Sequence, residues 1–409
     1  MDLKKLGVLL LCSLLVVTVA LSGCVSENVK GSEGTVPSTT NKNNVNTKVE
    51  SSGHATTGSE NTVPSTNENR EYITVKDMWN REVKIKKDVN RVVLLDFTGT
   101  YLKIMRIWGI DDKVVGIDNS QKKNVFLKVI CPRIENIPDV GSTSKGLNYE
   151  TIAATKPDVV IIRAFSTNKE REQKYREMVD RLNEMGIPVV ILLHPTSYDT
   201  PNVDTVWQEI EILGKIFNRE KESKDLINYL NGYVELIRER TKDIPEDERP
   251  RVLLYATPDY MLGAQTIQSY FLEDIVHGKN VLESGRWIKT SPEEILRLNP
   301  DVIIALGHGG YISPEDICTG KNVFLNWELV RNVKAIKERK VGSLGITEWR
   351  ATIEFPIGLL REAKTLYPER FADIDPDKEE IKLYKEIYGL SDEEVKEAVK
   401  AQRFRGENH

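Results

Sequence analysis

Short apolar runs rich in Val and Ile alternate along this chain with longer amphipathic stretches. Runs at 91–96, 114–118, 158–163 and 189–193 predict strands buried on both faces, the pattern of a parallel sheet covered by helices. Between them, 101–107 and 170–185 carry helical spacing. The alternation returns at 251–256, 301–306 and 340–344. Strand and helix taking turns in this way predict an α/β fold of two lobes, each with a central, mostly parallel sheet flanked by helices. Residues 220–242 hold no Pro and a single Gly, with apolar positions at Leu226, Ile227, Leu230, Tyr233, Val234 and Ile237. That spacing predicts one long, rigid helix of about 35 Å joining the lobes. The expected divisions are an N-terminal lobe at 71–219, the bridging helix at 220–243, a C-terminal lobe at 244–373 and a helical extension at 374–409.

One unit recurs at the distance of a whole domain. Glu150-Thr-Ile-Ala-Ala-Thr-Lys-Pro157-Asp158-Val-Val-Ile-Ile162 aligns with Glu293-Glu-Ile-Leu-Arg-Leu-Asn-Pro300-Asp301-Val-Ile-Ile-Ala305, glutamate and Pro-Asp in the same register. Such a spacing is too long for a solenoid and implies two similar lobes with a cleft between them. In each copy a short helix precedes the strand. Ser291-Pro292-Glu293-Glu294 reads as a capping box in which Glu294 reaches back to the cap amide, and Asn148 reads as the other N-cap. Glu150 and Glu293 then share the second helical position. By residue type alone, each simply complements the positive end of a helix dipole, worth about 0.3 to 1 kcal/mol.

The first residues place the lobes. A basic start over 1–5, an apolar core over 6–20 and Leu21-Ser22-Gly23-Cys24 resemble the lipobox of exported lipoproteins. That resemblance implies a signal peptide at 1–24, cleavage before Cys24 and membrane lipid attached to its thiol. An uncleaved anchor is the alternative, the apolar stretch lying near the lower limit for spanning a bilayer. From 25 to 70 the sequence is rich in Ser, Thr, Asn, Gly and Glu and cannot build a core, so it reads as a disordered tether with a reach of roughly 35 to 40 Å. Either way the lobes are expected outside the cytoplasm, held to a membrane.

Composition removes several classes. A net charge of −5 and a pI near 5.8 give no nucleic-acid footprint. Beyond the tether only Cys131 and Cys318 remain, one per lobe. A bridge between them would lock any hinge, so free thiols are favoured over a disulfide. Beyond the tether the four histidines, His194, His277, His308 and His409, without a pair at ligand spacing or a Cys-x-x-Cys, argue against a bare-metal receptor and give no resident metal or cofactor. No Gly-x-Ser-x-Gly elbow, phosphate loop or dinucleotide fingerprint occurs.

Several stretches in fixed order carry a more specific likeness. They are Arg91-Val-Val-Leu-Leu, Trp108-Gly-Ile-Asp-Asp-Lys-Val-Val-Gly-Ile, Pro138-Asp-Val-Gly-Ser142, the two repeat copies with their caps, and Leu366-Tyr-Pro-Glu-Arg-Phe371. Over about 75–389 the chain resembles the helix-linked class of substrate-binding proteins serving ABC importers of ferric siderophores, haem and cobalamin. The first-strand loop Asp96-Phe97-Thr98-Gly99-Thr100 departs from the Ser-Pro type usual there. The resemblance implies that a metal chelate or corrinoid is captured between the lobes and delivered to a dimeric permease with its ATPase. It also implies that Glu150 and Glu293 dock into arginine pockets of the two permease subunits.

Ligands of parallel α/β sheets bind beyond the carboxyl ends of strands. That rule nominates Phe97, Thr98, Thr100, Ser142, Arg163, Phe165 and His194 in the first lobe. In the second it nominates Tyr255, Asp259, Tyr260, Gln265, Trp287, His308, Tyr311 and the cluster Glu348-Trp349-Arg350. Arg163 and Arg350 suit bidentate contact with carboxylate, catecholate or oxoanion groups. Tyr260, Trp287 and Trp349 suit stacking on a planar chelate. His308 suits axial ligation of a chelated metal. Two other readings remain: a chelate-processing enzyme using Glu348 beside Arg350 as an acid/base pair, and a tethered sensor without transport.

Overall fold

The computed structural model of the chain describes residues 71–321 and 326–406. The signal sequence, Cys24, the tether and His409 lie outside the described residues. Among those described, no helix is long and apolar enough to cross a membrane.

The first lobe opens with a hairpin of β1 (Tyr72–Lys76) and β2 (Glu82–Lys86). Then come β3 (Val92–Leu95), α1 (Thr100–Ile107), β4 (Val114–Ile117), α2 (Val125–Ile130), α3 (Tyr149–Ala154), β5 (Val159–Ala164), α4 (Lys169–Glu184), β6 (Val189–Leu193) and α5 (Asp204–Phe217). Its sheet is parallel throughout, in the order β4-β3-β5-β6. The continuous apolar runs explain this: every residue of β3 and β5 is buried, so no face is left for water.

The bridge is α6 (Glu220–Thr241), whose buried positions include Leu226, Leu230, Tyr233, Val234 and Ile237. The second lobe carries β7 (Arg251–Thr257), β8 (Tyr260–Leu262), β9 (Trp287–Lys289), α7 (Pro292–Leu298), β10 (Val302–Ala305), β11 (Val341–Ser343) and α8 (Phe355–Leu366). Strands β7, β10 and β11 are parallel, while β8 and β9 add an antiparallel edge. The expected α/β architecture is therefore present, with one edge ribbon the apolar runs did not announce. Helices α9 (Pro376–Tyr388) and α10 (Asp392–Gln402) close the chain.

The sequence repeat has a structural meaning at its Pro-Asp turns. Asp158 donates its amide to the Arg91 carbonyl at 2.7 Å and accepts the Arg91 amide at 2.9 Å. Asp301 does the same with Arg251, at 2.8 and 2.9 Å. Each carboxylate also holds a lysine, Lys86 at 2.6 Å and Lys334 at 2.8 Å. The two aspartates thus fix the start of the central strand in each lobe. The caps differ from expectation in one respect. Ser291 and Asn148 do cap their helices, but Glu294 does not return to the cap amide, because Arg297 one turn on engages both of its oxygens. Glu150 and Glu293 are exposed. Cys131 and Cys318 are free thiols.

Candidate functional site

Behind the cleft the lobes meet through buried polar contacts. The Arg163 side chain, fully buried, donates Nε and Nη2 to the Glu209 carboxylate at 2.7 Å each. Its Nη1 donates to Thr98 and Thr100, and its Nη2 crosses to the Ala351 carbonyl of the second lobe at 2.9 Å. Burial opposes its charge, yet Glu209 holds the guanidinium above its ordinary value. Lys103 on α1 likewise crosses to Glu354 at the start of α8, both side chains fully buried. The amide of Ile267 donates to Thr196 Oγ1 at 3.3 Å.

In front of these contacts lies a cavity of about 540 Å³, within the range that holds a drug-sized ligand. The first lobe lines it with Phe97 and Thr98 after β3, Ser120 after β4, Thr143 and Ser144, Phe165 after β5, and His194 and Thr196 after β6. Helix α4 adds Arg171, Lys174 and Tyr175. The second lobe contributes Leu262, Thr266, Gln268, Trp287, His308, Trp349 and Arg350. Among the described residues, no Asp or Glu appears in this lining.

Two aromatic clusters face each other. Phe165 packs against His194 at 5.0 Å and Phe97 at 6.0 Å. Opposite, His308 lies between Trp287 at 5.0 Å and Trp349 at 5.4 Å. Trp349 is held by its indole N–H on the Ile346 carbonyl and by Gln268, whose amide donates to the Trp349 carbonyl at 3.0 Å. Arg350 lies over the Trp349 ring at 5.0 Å. Its Nε is sealed from solvent and has no hydrogen-bond partner among the described residues. Burial pushes the guanidinium down to about 10, with Asp96 only partly offsetting the effect. At neutral pH it stays charged.

Burial and the nearby arginine charges hold His194 well below the ordinary histidine value; burial and Arg350 lower His308. Both rings are therefore neutral at pH 7. His194 Nδ1 accepts the Thr196 amide at 3.2 Å. The neutral ring then carries its proton on Nε2 and presents a donor, not a metal-binding lone pair.

Of the nominated residues, Phe97, Thr98, Phe165, His194, Trp287, His308, Trp349 and Arg350 come together on the cavity wall. The others do not. Thr100 and Arg163 belong to the buried Glu209 network, and Ser142 is buried with its hydroxyl on Ser144. Tyr255 is inside the second-lobe core, its carbonyl on the strand ladder. Tyr260 is 40 % exposed at the rim, its ring edge-on to Trp287 at 6.5 Å. Glu348 is turned inward, accepting from Gly345 and Arg361, so it forms no acid/base pair with Arg350 in the cavity. Asp259, Gln265 and Tyr311 are not on its wall either. Sequence reasoning missed Arg171, Lys174 and Tyr175. Their spacing on the helix after β5 puts all three on one face, a signal that was available.

Residues 97–345 match the family model described as periplasmic binding protein. The chain is 27% identical over 236 residues to the uncharacterized ABC transporter substrate-binding lipoprotein YvrC of Bacillus subtilis, covering 57% of this chain and 68% of that one. It is 25% identical over 343 residues to the molybdate-binding protein MolA of Haemophilus influenzae, covering 78% and 91%. A solved periplasmic solute binding protein from Veillonella parvula superposes with a TM-score of 0.67 at 25% identity, over 81% of this chain and 98% of that one.

Proposed function

The chain belongs to the periplasmic binding protein family, as a solute-binding component of an ABC importer, and on that premise we propose that it captures an anionic metal chelate in the cavity between its lobes. The observation that carries this reading is Arg350: a charged guanidinium laid on an indole, its Nε sealed and, among the described residues, unpartnered, in a cavity that no described carboxylate lines. A buried charge of this kind is costly unless a ligand supplies its counter-charge. Arg171 and Lys174 extend the positive wall to the mouth, and His194 adds a neutral donor. The two aromatic clusters offer flat apolar faces on either side. Iron chelates of siderophore or haem type combine oxygen anions with such faces, and a corrinoid with its phosphate is the second member of the class. The volume exceeds what a single tetrahedral oxoanion would fill, so the molybdate named for MolA is a contrast probe, not the expected cargo.

Delivery follows from the matched surface charges. Glu150 and Glu293, each exposed at the second position of a capped helix and each without an ion-pair partner among the described residues, are proposed to orient the two lobes on a two-subunit permease. Cys24 is proposed to carry lipid that keeps the protein on the extracytoplasmic face of the same membrane, with the tether giving it reach.

Titration of the tether-free chain tests the ligand reading. Tryptophan emission is followed against ferric tris-catecholate, haemin, cobalamin and molybdate. Quenching by at least one chelate, lost on Arg350→Met, is the expected result. Unchanged emission across the panel, or binding of molybdate alone, refutes it.

A further inference from the structure

We propose that the C-terminal segment 376–406 is a clasp that positions the ligand-facing loops of the second lobe and ties them to the first lobe, with Gln402 and Tyr388 as its positioning residues. The segment lies beyond the residues matched by the family model. Two second-lobe loops reach the cavity, one carrying His308 and the other Trp349 and Arg350, and the end of the clasp holds both. The Ile346 amide donates to the Gln402 carbonyl at 3.1 Å, and the Thr347 amide to Gln402 Oε1 at 3.0 Å. Gln402 Nε2 returns a bond to Thr347 Oγ1. On the other loop, the Tyr311 amide donates to the Phe404 carbonyl at 2.7 Å. A Cβ on Gly310 would sit 2.5 Å from the Arg405 carbonyl oxygen, so the two strands of chain meet backbone to backbone.

The same segment grips the first lobe. Helix α10 packs along α2, and Phe126 on α2 meets Tyr384 at 5.4 Å and Tyr388 at 6.2 Å. The Tyr388 hydroxyl donates to Glu354, whose other oxygen takes Lys103 from the first lobe and Thr352 from the second. All four groups are buried. One carboxylate therefore joins first lobe, second lobe and clasp. Farther along, Arg403 and Arg361 share Glu380, while Arg361 also holds Glu348 at the base of the Arg350 loop. The cavity walls are set by this second crossing between the lobes as well as by helix α6.

The inference takes the cavity as the ligand site, but its primary readouts need no ligand. Gln402→Met keeps the side-chain length and removes both side-chain bonds to Thr347. Hydrogen exchange by mass spectrometry is expected to show amides of 345–350 exchanging at least tenfold faster, with the β10 amides unchanged. Tyr388→Phe removes one hydroxyl. Spin labels at exposed Lys145 in the first lobe and Lys289 in the second are expected to give a narrow distance distribution that broadens in Tyr388→Phe. A third readout is affinity for ferric tris-catecholate, expected to fall about tenfold in Gln402→Met while the melting temperature of the empty protein moves little. Exchange at 345–350 equal to the unsubstituted protein, together with an unchanged distance distribution, overturns the clasp. Loss of chelate binding in the unsubstituted protein overturns the ligand reading alone, because the first two readouts stand without it.

Discussion

Replacing Arg350 by Met is expected to make the empty protein more stable and the binding weaker, a pairing that a merely structural arginine would not produce. Burial pushes this guanidinium well below its ordinary value, down to about 10. At about 1.36 kcal/mol per pH unit of displacement, the folded state disfavours the charged form by about 3 kcal/mol relative to the unfolded chain. The sign follows from the direction: a depressed folded value means the favourable contribution exists only above the unfolded value and is lost as pH falls through about 10. At pH 7 the penalty is present in full. The side chain faces an open cavity and keeps some solvent, so the expected gain on Arg350→Met is about 1 to 3 kcal/mol, a melting shift of a few degrees. Affinity moves the other way. Removing one partner of a desolvated charge pair costs about 2 to 5 kcal/mol, which is roughly thirtyfold or more in Kd. Thermal unfolding of the ligand-free chain and fluorescence titration with an anionic chelate measure the two effects on one preparation. An empty Arg350→Met protein that melts lower, or one that binds anionic chelates as before, refutes the reasoning. Arg350→Lys is an informative intermediate, retaining charge without the planar fork.

Three other outcomes follow from particular groups. Glu362 is buried, its Oε2 has no hydrogen-bond partner among the described residues, and burial alone raises its carboxyl to about 8. A raised folded value gives stability that is complete below the unfolded value near 4.5 and lost as pH rises through about 8, so Glu362→Gln is expected to gain on the parent by about 4 kcal/mol from pH 5 to pH 9; parallel urea midpoints across that range would sink the idea. Double replacement of Glu150 and Glu293 by Arg is expected to abolish import in cells while leaving chelate affinity of the purified protein unchanged, and unimpaired uptake would remove the docking role. Cys131 is buried, and burial with the adjacent Asp111 carboxylate pushes its thiol up to about 12. In a chain begun at Glu71, a disulfide reagent at pH 8 should therefore modify half-buried Cys318 first, and equal rates at both thiols would contradict the assignment.

What the sequence shows well here is whatever is local and periodic. Val and Ile runs announce the parallel strands because burial on both faces leaves no polar position to interrupt them, and the bridging helix is legible from its unbroken spacing. The edge strands β8 and β9 are only three residues each, and β9 is largely exposed, so they leave no such mark. At the cleft, the strand-end rule locates Phe97, Phe165, His194 and His308 because the position beyond a parallel strand is a property of topology. It fails where side-chain direction depends on a distant partner. Arg163 follows β5 and has the right chemistry, but Glu209, brought up on α5, draws it into the floor. Glu348 sits two residues from Arg350 and faces the other way, because Arg361 and the Gly345 amide are on that side. Glu209 lies 46 residues from Arg163 and Arg361 lies 13 from Glu348, so neither side-chain partner is signalled locally, and composition gives no hint of the approach.

These captured carboxylates explain why Arg350 is available at all. A cationic side chain in a cavity normally neutralises itself on the nearest acid, and four acids, Asp96, Glu209, Glu348 and Glu354, are buried behind the cleft. Asp96 accepts from the Thr98 amide and hydroxyl and from the Tyr101 amide. Glu209 is occupied by Arg163 and Tyr101, Glu348 by Arg361, and Glu354 by Lys103, Thr352 and Tyr388. Each is fixed by at least two donors, so releasing any of them to meet Arg350 would strand a buried donor at a cost of about 1 to 3 kcal/mol or more. The floor therefore holds its negative charge in place and leaves the positive charge facing the cavity. Two of these locks, at Glu348 and Glu354, depend on the C-terminal helices, and two cross between lobes through Arg163 and Lys103. A binding cavity that must wait empty without collapsing onto its own counter-ions requires that kind of restraint. It follows that loosening the clasp should cost affinity even where no clasp residue touches the ligand, because a freed carboxylate becomes a competitor for Arg350.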